Sequence, residues 1–242
     1  MTINKMFENE VIDHAEEFPQ EEVCGFIILN DDLTVAIERG LNENPNPRDC
    51  FSISPAKFLN YTLNKTILGI YHSHPHTGER PSRHDKAMSE EAGLPYLVYS
   101  LKTKKFNLYY PESYEPCGLV GRPYVRGFYE CTCILKDYFK KNLNINISTW
   151  NTNYWLPEED KKANNLLLKI LNKNLTEDKK KNIKKHDIVV FQIKENKRLH
   201  VGIYCGSDMF VHQPAATLSC QEMLDNRWQD KIKAVYRYDS LV

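Results

Sequence analysis

Along the first 110 residues the spacing of apolar positions changes several times, and each change marks an expected element. Phe7, Val11, Ala15 and Phe18 recur at helical spacing and Pro19 closes the run, so residues 4–18 read as an amphipathic helix. Phe26–Leu29, Leu33–Ile37, Ile67–His72, Tyr96–Leu101 and Phe106–Tyr110 are short runs rich in β-branched and aromatic residues. They predict strands, because such side chains pack well on a pleated surface. Helices are expected near residues 55–65 and 82–92, which makes this part an α+β unit. The stretch Pro111-Glu-Ser-Tyr-Glu-Pro116 has no period and carries a proline at each end. It predicts a linker over residues 111–118 that separates a domain of residues 1–110 from one of residues 119–242. Beyond it, Glu130–Leu143 and Glu158–Asn174 read as helices, the second with Leu166, Leu167, Ile170 and Leu171 on its apolar face. The period then shortens, and Asp187–Ile193, His200–Tyr204, Met209–His212 and Ala234–Tyr238 read as strands of a small sheet.

Composition excludes more than it selects. A chain of 242 residues can bury two cores, and 41% hydrophobic with 26% charged residues is ordinary for a soluble globular protein. No apolar run reaches the length of a membrane span. Lys+Arg and Asp+Glu balance at 32 each, so no overall field attracts nucleic acid. The run Lys179–Lys185 has no interleaved aromatic and reads as a solvated loop or helix end. Met1–Glu10 lacks the apolar core of a signal peptide, and folding in a cytoplasm is expected. Seven cysteines, an odd count over a long chain, then argue for free thiols.

Four of the eight histidines, His72, His74, His76 and His84, fall within residues 72–84. On an extended segment His72 and His74 project to one face, since side chains alternate with a period of two. A catalytic zinc usually takes three protein ligands, and Asp85 is the candidate third. Ser82 and Asp85 also have the spacing of a capping box, opening a helix that Gly93 can close. The two roles are compatible, because a cap fixes the helix end that presents Asp85.

The string His72-Ser-His74-Pro75, six further residues and Ser82-Arg-His-Asp85 resembles the signature of the JAMM metalloproteases, His-x-His, seven residues, Ser-x-x-Asp. Pro19-Gln-Glu-Glu22-Val-Cys24-Gly25-Phe is similar to the helix-to-strand junction that carries the family's upstream glutamate. The resemblance implies a JAMM-like fold in which His72, His74 and Asp85 bind zinc. It also implies that Glu22 takes a proton from the metal-bound water and that Ser82 helps hold the oxyanion. Glu21 is the adjacent competitor for the base role, and His76 and His84 are expected in solvent or behind the ligands. Imidazole and carboxylate ligands suit several divalent ions, so zinc is the family's expectation.

In the second half, Cys131 begins a helical run, and the positive end of a helix dipole favours thiolate over thiol. If Cys205-Gly206-Ser207 is a three-residue hairpin loop, His200 pairs directly with His212 across adjacent strands. Such a pair suits a base and its orienting partner. Gly121-Arg-Pro-Tyr124-Val-Arg-Gly127 with Glu130-Cys131, then Asp187-Ile-Val-Val-Phe and His200-Val-Gly-Ile-Tyr, resembles the NlpC-type cysteine peptidases. The resemblance implies a papain-like fold with Cys131 as nucleophile, His200 as base, His212 as orienter and Tyr124 near the substrate or oxyanion. Glu130 stands where that family has Asp, Cys133 where a small residue often sits, and His186 where a glycine is usual.

A JAMM domain followed by an NlpC-type domain resembles the tail assembly proteins of lambda-like phages. That order implies a viral peptidase with two sites, acting on peptidoglycan peptides or tail proteins. It implies tail tip proteins as partners and a place in the host cytoplasm during assembly or in the virion tail, while the balanced charge argues for no nucleic acid partner. Two other readings remain: a structural tail module whose peptidase folds bind without turnover, and an intracellular deubiquitinase-like isopeptidase.

Overall fold

The structure, a computed structural model, describes residues 3–145, 160–180, 182–193, 198–215 and 217–238. They divide into two compact units, one running to Glu115 and the other beginning at Pro116. Both mix helices with a sheet, as the alternation of periods predicts.

In the first unit, α1 (Ile3–Glu17) precedes a hairpin of β1 (Cys24–Leu29) and β2 (Val35–Gly40). The second strand starts later than expected because Leu33 sits in the turn, with φ 67° and its N–H on the Asn30 carbonyl. Then come α2 (Pro55–Asn64), β3 (Thr66–His74), α3 (Arg83–Ala92), β4 (Tyr96–Ser100) and β5 (Lys105–Tyr109). The sheet order is β2-β1-β3-β4-β5, with β3 and β4 parallel and joined through α3. Alternation along β3 divides its side chains between two faces. Ile70 packs with Phe26, Tyr96 and the α2 rings Phe58 and Tyr61, and His72 and His74 continue that face. Tyr71 points the other way and meets α1, where His14 Nδ1 lies 2.8 Å from the Tyr71 hydroxyl.

Burial, with the Arg39 charge, pulls the His14 imidazole from 6.5 down to about 4. As pH falls from 6.5 toward 4 the unfolded chain takes up this proton before the folded one does. Stability present above 6.5 is therefore lost progressively on acidification. Denaturant unfolding above and inside this window should show a smaller acid loss for His14→Gln, which keeps a polar partner for Tyr71, than for the wild type.

In the second unit, α4 (Cys131–Leu143), α5 (Asp160–Asn174) and β6 (Leu175–Glu177) precede β7 (Ile188–Gln192) and β8 (Leu199–Gly206). β9 (Met209–His212), β10 (Cys220–Met223), the short α6 (Asn226–Gln229) and β11 (Ile232–Tyr238) follow. The expected start of the second helix at Glu158 lies outside the described residues, and β6, β10 and α6 are elements the apolar pattern did not announce. The antiparallel sheet runs β10-β9-β8-β7-β11-β6. One face, through Leu199, Val201 and Ile203, packs on Ile134, Leu135 and Phe139 of α4 and Leu167 and Leu171 of α5. The other gathers Val189, Phe191 and Phe210 with Trp228. Arg122 ties the segment before α4 to that helix through a 2.5 Å ion pair with buried Asp137 and a 2.9 Å bond to the Cys117 carbonyl.

Candidate functional site

The histidines of β3 converge because they lie two residues apart on one strand, and the start of α3 closes the cluster. His72 Nε2 and His74 Nε2 are 3.2 Å apart. Asp85 places Oδ1 3.5 Å from the first and Oδ2 3.5 Å from the second. All three residues are buried. The capping box forms as well: the Ser82 N–H donates to Asp85 Oδ2 at 2.6 Å, and the Asp85 N–H donates to Ser82 Oγ at 3.1 Å. One carboxylate therefore fixes the helix end and faces both imidazoles. Gly93 closes the helix in the left-handed conformation, φ 63°.

The donor set fits a divalent cation. His74 Nδ1 lies 2.8 Å from the Gly78 carbonyl, which can only accept, so that nitrogen carries the proton and Nε2 presents a lone pair to the cluster. A second imidazole nitrogen and a carboxylate oxygen face the same point, the usual ligands of a catalytic zinc. Asp85 is pushed up by burial, yet bonds from His72 and His74 hold it well below the usual carboxylate range. Glu22 is buried with Oε1 3.9 Å from His74 Nε2, and burial raises it to about 7, near the value that suits a base at neutral pH. Glu21 beside it is exposed. Ser82 uses its oxygen as acceptor in the cap and keeps a hydroxyl proton to donate. His84 is exposed, and neither His84 nor His76 joins the ligand group.

In the second unit, His200 and His212 meet in a register other than the direct pairing expected from a three-residue loop. The turn is Ser207-Asp208, both with positive φ, and a bulge lies between Tyr204 and Gly206, so His212 stands opposite Gly202. The slip is two residues, which preserves the face, and His200 Nε2 reaches His212 Nδ1 diagonally at 2.8 Å. Gly202 permits this. A Cβ there would lie 2.8 Å from the Phe210 ring, 3.0 Å from the Val211 carbonyl and 3.2 Å from His212 Cβ.

The chain of polar contacts continues outward. His212 Nε2 lies 3.2 Å from Glu222 Oε1, and the Trp228 indole N–H donates to Glu222 Oε2 at 3.0 Å. A carboxylate accepts only, so the His212 proton sits on Nε2, its Nδ1 accepts from His200 Nε2–H, and His200 Nδ1 is left as the basic nitrogen. Glu222, Cys220 and Trp228 escaped the sequence reading. The signal available was Cys220-Gln-Glu222, two residues apart and so on one strand face.

Cys131 is the first residue of α4, with Glu130 as a cap residue that makes no side-chain capping bond. The backbone N–H groups of Val201 and Thr132 near its sulfur favour thiolate. Burial and the neighbouring Glu130 carboxylate nevertheless push the thiol up to about 12, which outweighs the helix dipole expected to favour thiolate. Cys131 packs with the cluster that holds Val201, the chain neighbour of His200, whereas the His200 ring lies against Phe191 and Trp228 on the other face. Tyr124 shares a small cleft with Cys131, Glu130, Asn164 and Arg198. Cys133 is buried, with its thiol on the Gly127 carbonyl.

Residues 5–110 match the prokaryotic homologs of the JAB domain, and residues 121–237 match the NlpC/P60 family. The tail tip assembly protein K of Escherichia phage N15 is 25% identical over 228 residues, 93% of this chain and 90% of that protein. Among solved structures, a Desulfitobacterium hafniense protein is 26% identical over 44% of this chain and 80% of its own, with a TM-score of 0.35. A Staphylococcus aureus protein of the NLP/P60 family is 19% identical over 50% of this chain and 37% of its own, with a TM-score of 0.33. The chain is a JAB-like domain followed by an NlpC/P60 domain, and over nearly its whole length it is similar to a phage tail tip assembly protein.

Proposed function

We propose that this protein is a phage tail tip assembly factor carrying two peptidase sites, with the boundary between its domains in residues 111–118. The observation that carries the reading is the convergence of His72, His74 and Asp85, with the Glu22 carboxylate buried against them. When bound there, zinc supplies a Lewis acid that makes its water acidic near neutral pH. His72, His74 and Asp85 would hold the ion, Glu22 would accept the proton of the attacking water, and Ser82 would donate to the oxyanion of a peptide or isopeptide carbonyl. In the second unit, Cys131 is the nucleophile, His200 the base, His212 its orienting partner and Tyr124 a substrate or oxyanion contact. Tail tip proteins are the partners, and peptidoglycan stem peptides or tail proteins are the substrates. The host cytoplasm during assembly and the virion tail are its places of action.

A second reading is favoured by a specific contact. Cys131 packs on the sheet face that carries Val201, whereas the His200 ring packs on Phe191 and Trp228 at the other face, which suits a second unit that binds without turnover. Digestion of purified peptidoglycan and of tail tip proteins by wild type, His74→Ala and Cys131→Ala separates the two. Products lost in either variant support the enzyme, and identical products from all three defeat it.

A further inference from the structure

We propose that His212, Cys220 and Glu222 form a second divalent-cation site of the zinc class, whose occupancy reverses the hydrogen bond between His212 and His200. The site follows from strand geometry. Cys220 is the cross-strand partner of His212 on β10 and β9, and Glu222 lies two residues further along β10 on the same face. His212 Nε2, Cys220 Sγ and Glu222 Oε1 stand 3.2, 3.3 and 3.4 Å from one another. Tetrahedral zinc with bonds of about 2.0–2.3 Å sets its nitrogen, oxygen and sulfur ligands about 3.4–3.6 Å apart. The triangle therefore closes on such an ion after shifts of a few tenths of an ångström.

The outer contacts of a metal centre are also in place. The Trp228 indole N–H holds Glu222 Oε2 and leaves Oε1 directed at the other two atoms. His200 Nε2 waits at 2.8 Å from His212 Nδ1, where a metal-bound imidazole needs an acceptor for its remaining N–H. His212 is buried while the Glu222 side chain is 39% exposed, so an ion enters from the Glu222 side and water can take the fourth position. Imidazole, thiolate and carboxylate together select zinc or cobalt over magnesium or calcium, which prefer oxygen alone. Binding releases the thiol proton to solvent and the Nε2 proton of His212 is no longer available to Glu222.

The coupling is a matter of proton position. Without the ion, His212 donates through Nε2 to Glu222, and Nδ1 accepts from His200. With the ion on Nε2, the imidazole proton sits on Nδ1 and donates to His200 Nε2. The His200 proton then moves to its own Nδ1. On the cysteine-peptidase reading this removes the base that Cys131 needs, so the filled site would be an off state. The site and the proton shift do not depend on that reading.

Cobalt(II) titration of the full chain tests the site, with Asp85→Asn included to disable the histidine-aspartate cluster, which has no thiolate. A near-ultraviolet thiolate-to-cobalt charge-transfer band should saturate at one equivalent, vanish in Asp85→Asn/Cys220→Ser, and persist in Asp85→Asn/Cys131→Ser. Glu222→Gln should weaken cobalt binding at least about tenfold while the band remains at saturation. Absence of the band, or a band that survives Cys220→Ser, would overturn the proposal. Zinc added to the Asp85→Asn protein should move the His200 proton from Nε2 to Nδ1 in long-range proton-nitrogen spectra. An unmoved proton at full occupancy would overturn the coupling.

Discussion

Asp85→Asn is expected to remove zinc from the first unit, whereas Glu22→Gln is expected to keep the metal and lose the chemistry. The two carboxyls are buried in one cluster but have different tasks. Asp85 lies 3.5 Å from both imidazoles and is held ionised by them, so it would contribute the negative charge that balances an ion. Asparagine keeps the shape, and its carbonyl can still accept the Ser82 N–H, so the end of α3 should survive while the charge does not. Glu22 touches the cluster only at its edge, 3.9 Å from His74, and burial makes it a weak acid of about 7. Glutamine there removes a proton acceptor and no ligand. Loss of a general base costs about 10²–10⁴-fold in turnover. Mass spectrometry of the native protein and metal-dependent cleavage measure both effects on the same samples. Zinc retained at full occupancy by Asp85→Asn would sink the assignment of ligands, and full turnover by Glu22→Gln would sink the assignment of the base.

The first unit was more legible from sequence than the second, for a physical reason. His72 and His74 sit on one strand, and Ser82 and Asp85 on one helix start, so two local rules, the period of two and the capping box, place four side chains. Only the meeting of strand and helix is tertiary. In the second unit the contacts are set by register between strands. The expected three-residue loop would have paired His200 with His212, but Ser207 and Asp208 adopt positive φ and the bulge at Cys205 absorbs the difference. The histidines still met because a slip of two residues keeps the face. Glu222 was not legible at all. Its strand, Cys220-Gln-Glu-Met223, is short and lacks the β-branched and aromatic residues that favour strands, and it is held by pairing to β9 more than by its own propensity. Helix position, which the sequence shows, favours a thiolate at Cys131, whereas burial beside the ionisable Glu130, which it does not show, raises the thiol.

Cys131→Ala is expected to abolish cysteine-dependent peptide cleavage, a loss of about 10⁴-fold or more. His212→Ala is expected to cost about 10²–10⁴-fold by leaving the His200 proton free to sit on either nitrogen. Desolvation and the neighbouring Glu130 carboxylate hold the thiol neutral, so the resting protein should react slowly with iodoacetamide at neutral pH. Rotation about the Cα–Cβ bond of Cys131 is the smallest movement that changes what the sulfur faces. A substrate that occupies the Tyr124 cleft would favour that rotation by displacing the sulfur from the backbone N–H groups near it. A peptide bearing an electrophile should therefore label Cys131 far faster than iodoacetamide does, and His200→Ala should erase the difference. A binding module without turnover gives another pattern, in which both reagents are slow and no cleavage depends on Cys131. Equal labelling rates for the two reagents, together with cleavage that survives Cys131→Ala, would remove the cysteine from the chemistry of this protein.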